Sequence, residues 1–256
     1  MLLPTALLST HTMFQNVVKK DLSEWMLPIA RHWKQEGIHF DAIYTGYLGT
    51  TAEIEMVLEI IRWFRAEDTL ILVDPVMGDH GKLYSGFDDT YPEANRALCA
   101  AADVILPNLT EACFLTGTQV RTEPDREYIG FLLKKLSLLG AKTAILTGIS
   151  LREGEIGAYG YDLAADAYFC CEHERIPTAY HGTGDIFSSV TAGALLRGCT
   201  REEALQMAAR YTAAAIEETR KHPGEARYGV DFEATIPYLL EMLNKTACAE
   251  TTMQEQ

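Results

Sequence analysis

The sequence predicts an α/β protein with a mostly parallel central sheet, helices on both faces and an antiparallel edge hairpin. Two observations carry that prediction. Short apolar, β-rich runs alternate with capped amphipathic segments from Asp41 to Thr147, and parallel pairing requires helical crossovers of this kind. The alternation then changes at Ile156 to Cys171, where two β-rich runs flank Asp162 to Asp166 in the manner of a hairpin.

Met1 to Leu8 reads as a short buried strand, followed by a loop from Ser9 to Lys20 that carries His11 and Thr12. Asp21 with Glu24 has the spacing of a capping box and predicts a helix to about Lys34, ended by Gly37. Asp41 to Thr45 is strand-like, Gly46-Tyr47-Leu48-Gly49 is a turn, and Thr50 with Glu53 caps a helix to about Arg65. The β-branched run Thr69 to Val73 is a buried strand stopped at Asp74-Pro75, and a glycine-broken loop covers Val76 to Gly86. Thr90 with Glu93, and Pro92 in the first turn, start a helix. Asp103 to Leu106 is the next strand, and Asn108 to Glu111 opens a short helix that Gly117 ends. Helix Arg126 to Leu139 leads to strand Lys142 to Thr147 and then to the glycine-rich segment Gly148 to Gly157. Beyond Gly184 the pattern is helical, with Gly198 closing one helix, Thr200 and Glu203 capping the next, and a last one covering about Phe232 to Asn244. One domain over residues 1–244 is expected, with 245–256 a polar tail.

Composition narrows the function classes. A formal net charge of −14 argues against a partner with a phosphate backbone, so no nucleic acid is expected. An acidic chain still holds a nucleotide when a metal ion and helix N-termini meet the phosphates. The six cysteines, at 99, 113, 170, 171, 199 and 248, show no C-x-x-C spacing, which fits reduced thiols in the cytoplasm. No apolar run reaches the ~20 residues of a membrane span.

Chemistry concentrates at His181-Gly182-Thr183-Gly184-Asp185, a glycine turn running into the small-residue helix Ile186 to Leu196. The free amides of a helix N-terminus bind anions, and a carboxylate beside them suits a base that deprotonates a hydroxyl as a phosphoryl group arrives. The plain alternative is a turn followed by an acidic first helical residue. In an open parallel sheet, ligands lie beyond the carboxyl ends of the strands. Tyr47, Asp74, Asp79, Asn108, Glu111 and Thr147 all fall at that edge, where the helix after Gly184 is also expected to point. Each has an ordinary role too: Asn108 and Glu111 make a cap, Asp74 ends a strand, Asp79 suits a turn. Asp74, Asp79 and Glu111 are carboxylates for magnesium, directly or through water. Lys82 is the single lysine of its loop, with a solvated side chain the better expectation against a phosphate contact, and Tyr47 offers a face for a flat ring. There is no Walker A, kinase glycine loop or G-x-G-x-x-G fingerprint.

The segments Leu3 to Thr12, Tyr44-Thr45-Gly46-Tyr47, Asp74 to Asp79, Pro107 to Glu111 and Gly182 to Asp185 together resemble the ribokinase-like superfamily and, within it, the pyridoxal/pyridoxamine kinases. The resemblance implies ATP-dependent phosphorylation of the 5′-hydroxymethyl group of a B6 vitamer, with hydroxymethylpyrimidine kinase as the neighbouring alternative and a non-catalytic ligand-binding remnant as the other. It implies Asp185 as catalytic base, Gly182, Thr183 and Gly184 as anion hole, and Asn108, Glu111 and Asp74 about magnesium. Asp74, Asp79, Asn108, Thr147 and Thr183 are implied at the nucleotide and its phosphates, and His11, Thr12, Tyr47 and Asp185 at the vitamin. ATP and Mg2+ are the implied cofactors, a monovalent cation is left open, and a cytoplasmic homodimer is implied. Relatives carry a further strand and helix ahead of the segment that opens this chain. On that comparison, weak or absent kinase activity is expected if 256 residues is the whole product.

Overall fold

The first apolar run does not enter a buried sheet. In the computed structural model, which describes residues 1–11, 14–178, 180–222, 224 and 226–254, strand β1 (Ala6–Leu8) pairs antiparallel with β2 (Lys19–Asp21), Ala6 opposite Asp21. Leu7 and Leu8 are exposed. The expected buried strand is therefore a surface ribbon, because its only ladder partner among the described residues is the charged run Lys19-Lys20-Asp21.

Helix α1 (Ser23–Gln35) follows. Its expected capping box does not form: Asp21 accepts from the Ser23 amide at 2.7 Å, and the residue at the cap position is Leu22. Strand β3 (Ala42–Thr45) leads to helix α2 (Thr51–Phe64), where Thr50 accepts from the Glu53 amide at 3.2 Å as the spacing predicts. Strand β4 (Leu70–Val73) comes next. The loop after it holds a ribbon the sequence reading missed, β5 (Gly78–Asp79) paired with β6 (Lys82–Leu83). His80 (φ +50°) and Gly81 (φ +76°) turn it, the two positive φ values of the two-residue hairpin that follows strand twist.

Helix α3 (Tyr91–Ala100) lacks the expected Thr90 cap, since the Thr90 hydroxyl donates to Asp88 and Glu93 pairs with Arg96. Strand β7 (Val104–Ile105), helix α4 (Leu109–Thr116) and helix α5 (Arg126–Ser137) follow, with Gly117 in the left-handed conformation behind α4. Strand β8 (Thr143–Ile149) is longer than expected and takes up part of the glycine-rich segment; β9 (Glu155–Asp162) and β10 (Ala167–Glu174) form the hairpin. Helices α6 (Thr183–Leu196), α7 (Arg201–Arg220) and α8 (Ile236–Gln254) complete the chain.

The six-stranded sheet has the order β10-β9-β8-β7-β4-β3, and β3, β4, β7 and β8 run parallel. Two compact units are distinguished. The first comprises Met1–Leu151 and Tyr159–Tyr168, the second Arg152–Ala158 and the chain from Phe169 onward. In the first, Ile71, Leu72, Val73, Ile105, Ala144 and Leu146 are completely or almost completely buried, as the unbroken apolar runs require of strands covered on both faces. The amino ends of its strands are stitched by buried Asp103, which accepts from the Ile71 amide at 2.8 Å and pairs with Arg65 and Lys142 at 3.2 and 2.8 Å. In the second unit, Ile186, Val190 and Ala194 of α6 pack on Ala204, Met207, Ala208 and Tyr211 of α7. Among the described residues no helix is long and apolar enough to cross a membrane. The described cysteines are free thiols, Cys170 and Cys171 lying side by side on β10.

Candidate active site

Parallel register lines up the polar groups of the first unit at the carboxyl ends of four strands. Thr45 pairs with Val73, and the Asp74 amide donates to the Thr45 carbonyl at 2.9 Å. Asn108, after β7, bridges to Thr147 near the end of β8. Thr45, Asp74, Asn108 and Thr147 thus sit in successive strands at one edge, the edge the sequence reading selects.

Asn108 and Glu111 form the expected capping box on α4, at 3.0 and 2.9 Å. The structure adds a second task. The other carboxylate oxygen of Glu111 accepts from the Met77 amide at 3.0 Å, the Asn108 amide group donates to the Gly78 carbonyl at 2.8 Å, and the Thr110 hydroxyl accepts from the Gly81 amide at 2.9 Å. The N-terminus of α4 therefore clamps the β5–β6 ribbon. Gly78 is required there, since a Cβ would lie 2.4 Å from the Lys82 carbonyl oxygen. Glu111 is 3% exposed, and burial pushes its pKa up to about 7 against the lowering effect of its three backbone hydrogen bonds.

The ribbon carries Asp79, half-exposed and 3.5 Å from the His80 ring, and Lys82, which is exposed as expected. It is followed by Tyr84, which the sequence reading missed. Tyr84 is exposed overall, yet partial desolvation, then the charges of Glu111, Asp79 and Asp74, raise its phenol to about 12, so four ionisable groups share this edge. The signal in the sequence was only a tyrosine in a glycine-broken loop. Asp74 is nearly buried. Among the described residues no three His, Cys, Asp or Glu side chains come together as a metal site. The oxygen donors suit a hard cation that keeps its waters, although Asn108 and Glu111 already spend lone pairs on the clamp.

Tyr47 is partly exposed beside Phe87, which stacks on Tyr91 with ring centres 3.7 Å apart. His11 makes an edge contact with Phe14 at 4.9 Å. Thr12 lies outside the described residues.

In the second unit, Gly182 caps α6 in the left-handed conformation (φ +90°), which needs no Cβ. The first intrahelical bond runs from the Ile186 amide to the Gly182 carbonyl at 3.0 Å, so the amides of Thr183, Gly184 and Asp185 precede the ladder. Gly184 is not needed for a turn. It has a helical backbone and nothing lies within 4 Å of where its Cβ would be, which leaves the space over the helix start clear. Thr183 is held by its hydroxyl on the Tyr180 carbonyl at 3.2 Å. Asp185 lies open to solvent on a cavity of about 670 Å³, and the protein around it still raises its pKa, desolvation being the cause. A second cavity of about 690 Å³ has mixed charge, with Arg175, Arg210 and Arg220 facing it together with Glu172, Glu174 and Glu217.

The scaffold is a parallel sheet with an acidic loop edge, and α6 opens on a glycine turn bearing a carboxylate. The family model for phosphomethylpyrimidine kinase matches residues 15–231, and the chain belongs to that family. It is similar to the pyridoxine kinase of Bacillus subtilis, 32% identical over 196 residues, 72% of this chain and 66% of that kinase, so it spans just under two thirds of that relative. A solved structure from Bacteroides thetaiotaomicron, described as a candidate phosphomethylpyrimidine kinase and crystallised with pyridoxal, superposes with a TM-score of 0.88 at 36% identity, covering 93% of this chain and 84% of that one. An ADP complex of Bacillus subtilis pyridoxal kinase matches with a TM-score of 0.71 at 26% identity, covering 84% and 80%. The ribokinase-like fold and the kinase family are thereby shown.

Proposed function

We propose that this chain transfers the terminal phosphoryl group of ATP to the 5′-hydroxymethyl group of pyridoxal, pyridoxamine or pyridoxine. The observation that carries the reading is the start of α6: a carboxylate on the first helical turn, behind amides that no intrahelical bond consumes. Asp185 takes the proton of the substrate hydroxyl. A carboxylate with a raised pKa is the better acceptor, because it is closer to matching the proton it receives. The amides of 183–185 and the helix dipole meet the charge that grows on the transferring group. The clear space over Gly184 lets that group approach.

In this reading Thr147 and Asp74, at the strand ends, keep the nucleotide role and Tyr47 and His11 the vitamin-ring role that the family resemblance implies. Asp74, Asp79 and the remaining lone pairs of Asn108 and Glu111 would hold Mg2+ through water, and the ion would neutralise phosphate charge. Support for the vitamin comes from the pyridoxine kinase relative and the pyridoxal-bound neighbour. A hydroxymethylpyrimidine substrate is the second reading, favoured by the description of the family model. A homodimer in the cytoplasm accompanies the first.

The test is ATP-dependent turnover of pyridoxal, pyridoxine and 4-amino-5-hydroxymethyl-2-methylpyrimidine by the wild type and by Asp185→Asn. We expect faster turnover of the B6 rings, a loss of about 10²- to 10⁴-fold in kcat for the variant, and little change in its ATP affinity. Wild-type turnover of neither ring, or an unimpaired variant, refutes the proposal.

A further inference from the structure

The surface ribbon brings a cation to the proposed ring platform. Lys19, on β2, donates to the Tyr47 hydroxyl at 3.0 Å and lies 5.1 Å from the centre of that ring. The ribbon is tied to the same turn by the Thr5 hydroxyl, which donates to the Tyr47 carbonyl at 3.1 Å. Lys19 is seated by an absent side chain: a Cβ on Gly49 would come within 2.7 Å of its Nζ.

Behind that seat stands Glu53, completely buried. One carboxylate oxygen accepts from the Gly49 amide at 2.6 Å, while the other is buried without a hydrogen-bond partner and lies 3.5 Å from the same Cβ position. Burial raises the Glu53 pKa, and the Lys19 charge works against that rise. A buried carboxylate oxygen left unpaired is costly. The Lys19 ammonium is the nearby cation whose charge acts on that carboxylate. Of the three donors of Lys19, one is spent on Tyr47.

We infer that Lys19, held by Tyr47, is a specificity-determining residue that donates to an oxygen acceptor on the flat ring carried by Tyr47. This rests on the vitamin kinase reading and sharpens it. A hydroxypyridine ring offers an ionisable phenolic oxygen, and an ammonium beside it makes a charge-assisted hydrogen bond. An aminopyrimidine ring presents an amino donor, which an ammonium disfavours. The ribbon thereby selects the B6 ring over the pyrimidine.

The experiment measures pyridoxine binding without ATP, by the absorbance of its ionised phenol, and kcat and KM for pyridoxine and for the aminopyrimidine. It uses the wild type, Lys19→Met and Lys19→Arg, with circular dichroism confirming that each is folded. Lys19→Met is expected to weaken pyridoxine binding and raise its KM by about 10- to 100-fold while leaving the aminopyrimidine unchanged or improved. Lys19→Arg is expected to restore part of the loss, since it keeps a cation there. An equal loss on both rings, no loss on pyridoxine, or no pyridoxine binding by the wild type overturns the inference. If the wild type binds pyridoxine but phosphorylates neither ring, the kinase reading fails alone, and the binding ratio still decides the role of Lys19.

Discussion

Replacing Glu111 by glutamine separates the electrostatic cost of the α4 clamp from its hydrogen bonds. The wild-type carboxyl is buried with a pKa of about 7, against 4.5 when unperturbed. Because the folded state holds the proton more tightly than the unfolded one, the contribution of Glu111 is complete below pH 4.5 and is lost as pH rises through 7. The difference is about 2.5 pH units, or roughly 3 kcal/mol. Glutamine has one acceptor oxygen where the carboxylate has two, so either the Met77 or the Asn108 amide loses its partner, at a cost of about 1–3 kcal/mol. At pH 8 the relieved burial of charge offsets that lost bond, and the two proteins should be close in stability. At pH 5 the lost bond outweighs the little charge burial that remains, and the variant should be weaker. Urea unfolding of both proteins from pH 5 to pH 8 reads this as a wild-type-minus-variant difference that shrinks by about 2.5 kcal/mol as pH rises. Parallel curves would show that Glu111 titrates alike folded and unfolded, and the account of the clamp would be wrong.

Other outcomes follow from the helix starts and the ribbon. Gly184→Ala, at a helical position with open space, should raise stability by up to about 1 kcal/mol yet lower kcat/KM for ATP, because the methyl enters the anion space; unchanged kinetics would remove the anion hole from the mechanism. Gly182→Ala should cost about 1–2 kcal/mol from its left-handed φ, seen in thermal unfolding. Thr200→Ala removes the capping box of α7 and should cost about 1 kcal/mol, lowering Tm by about 2–4 °C, with no effect on turnover. Gly78→Ala should displace the β5–β6 ribbon, visible as faster amide exchange at Gly81 and Leu83, since the added carbon meets backbone and not a flexible side chain.

Local rules carried most of the fold. Hydrophobic runs of four to seven residues, punctuated by Asn108, Gly117, Thr200 and Gly182, set the strands and helices close to where they lie, because a period and a cap are properties of neighbouring residues. The line of Asp74, Asn108 and Thr147 was legible for the same reason: parallel topology alone sends strand ends to one edge. Partner choice across the chain was not. Asp21 and Thr90 fit the spacing of caps but bond elsewhere, and the run ending at Leu8 is exposed, since what a strand pairs with is absent from its own residues. The second task of Glu111, the charge shared with Tyr84, and Lys19 on Tyr47 join residues about 30 apart in the chain. Those separations exceed any periodicity or cap. The sequence by itself therefore determined the elements and the edge at which chemistry gathers, whereas burial and contact between distant residues, which exist only after folding, decided which side chains are structural and which are left to act.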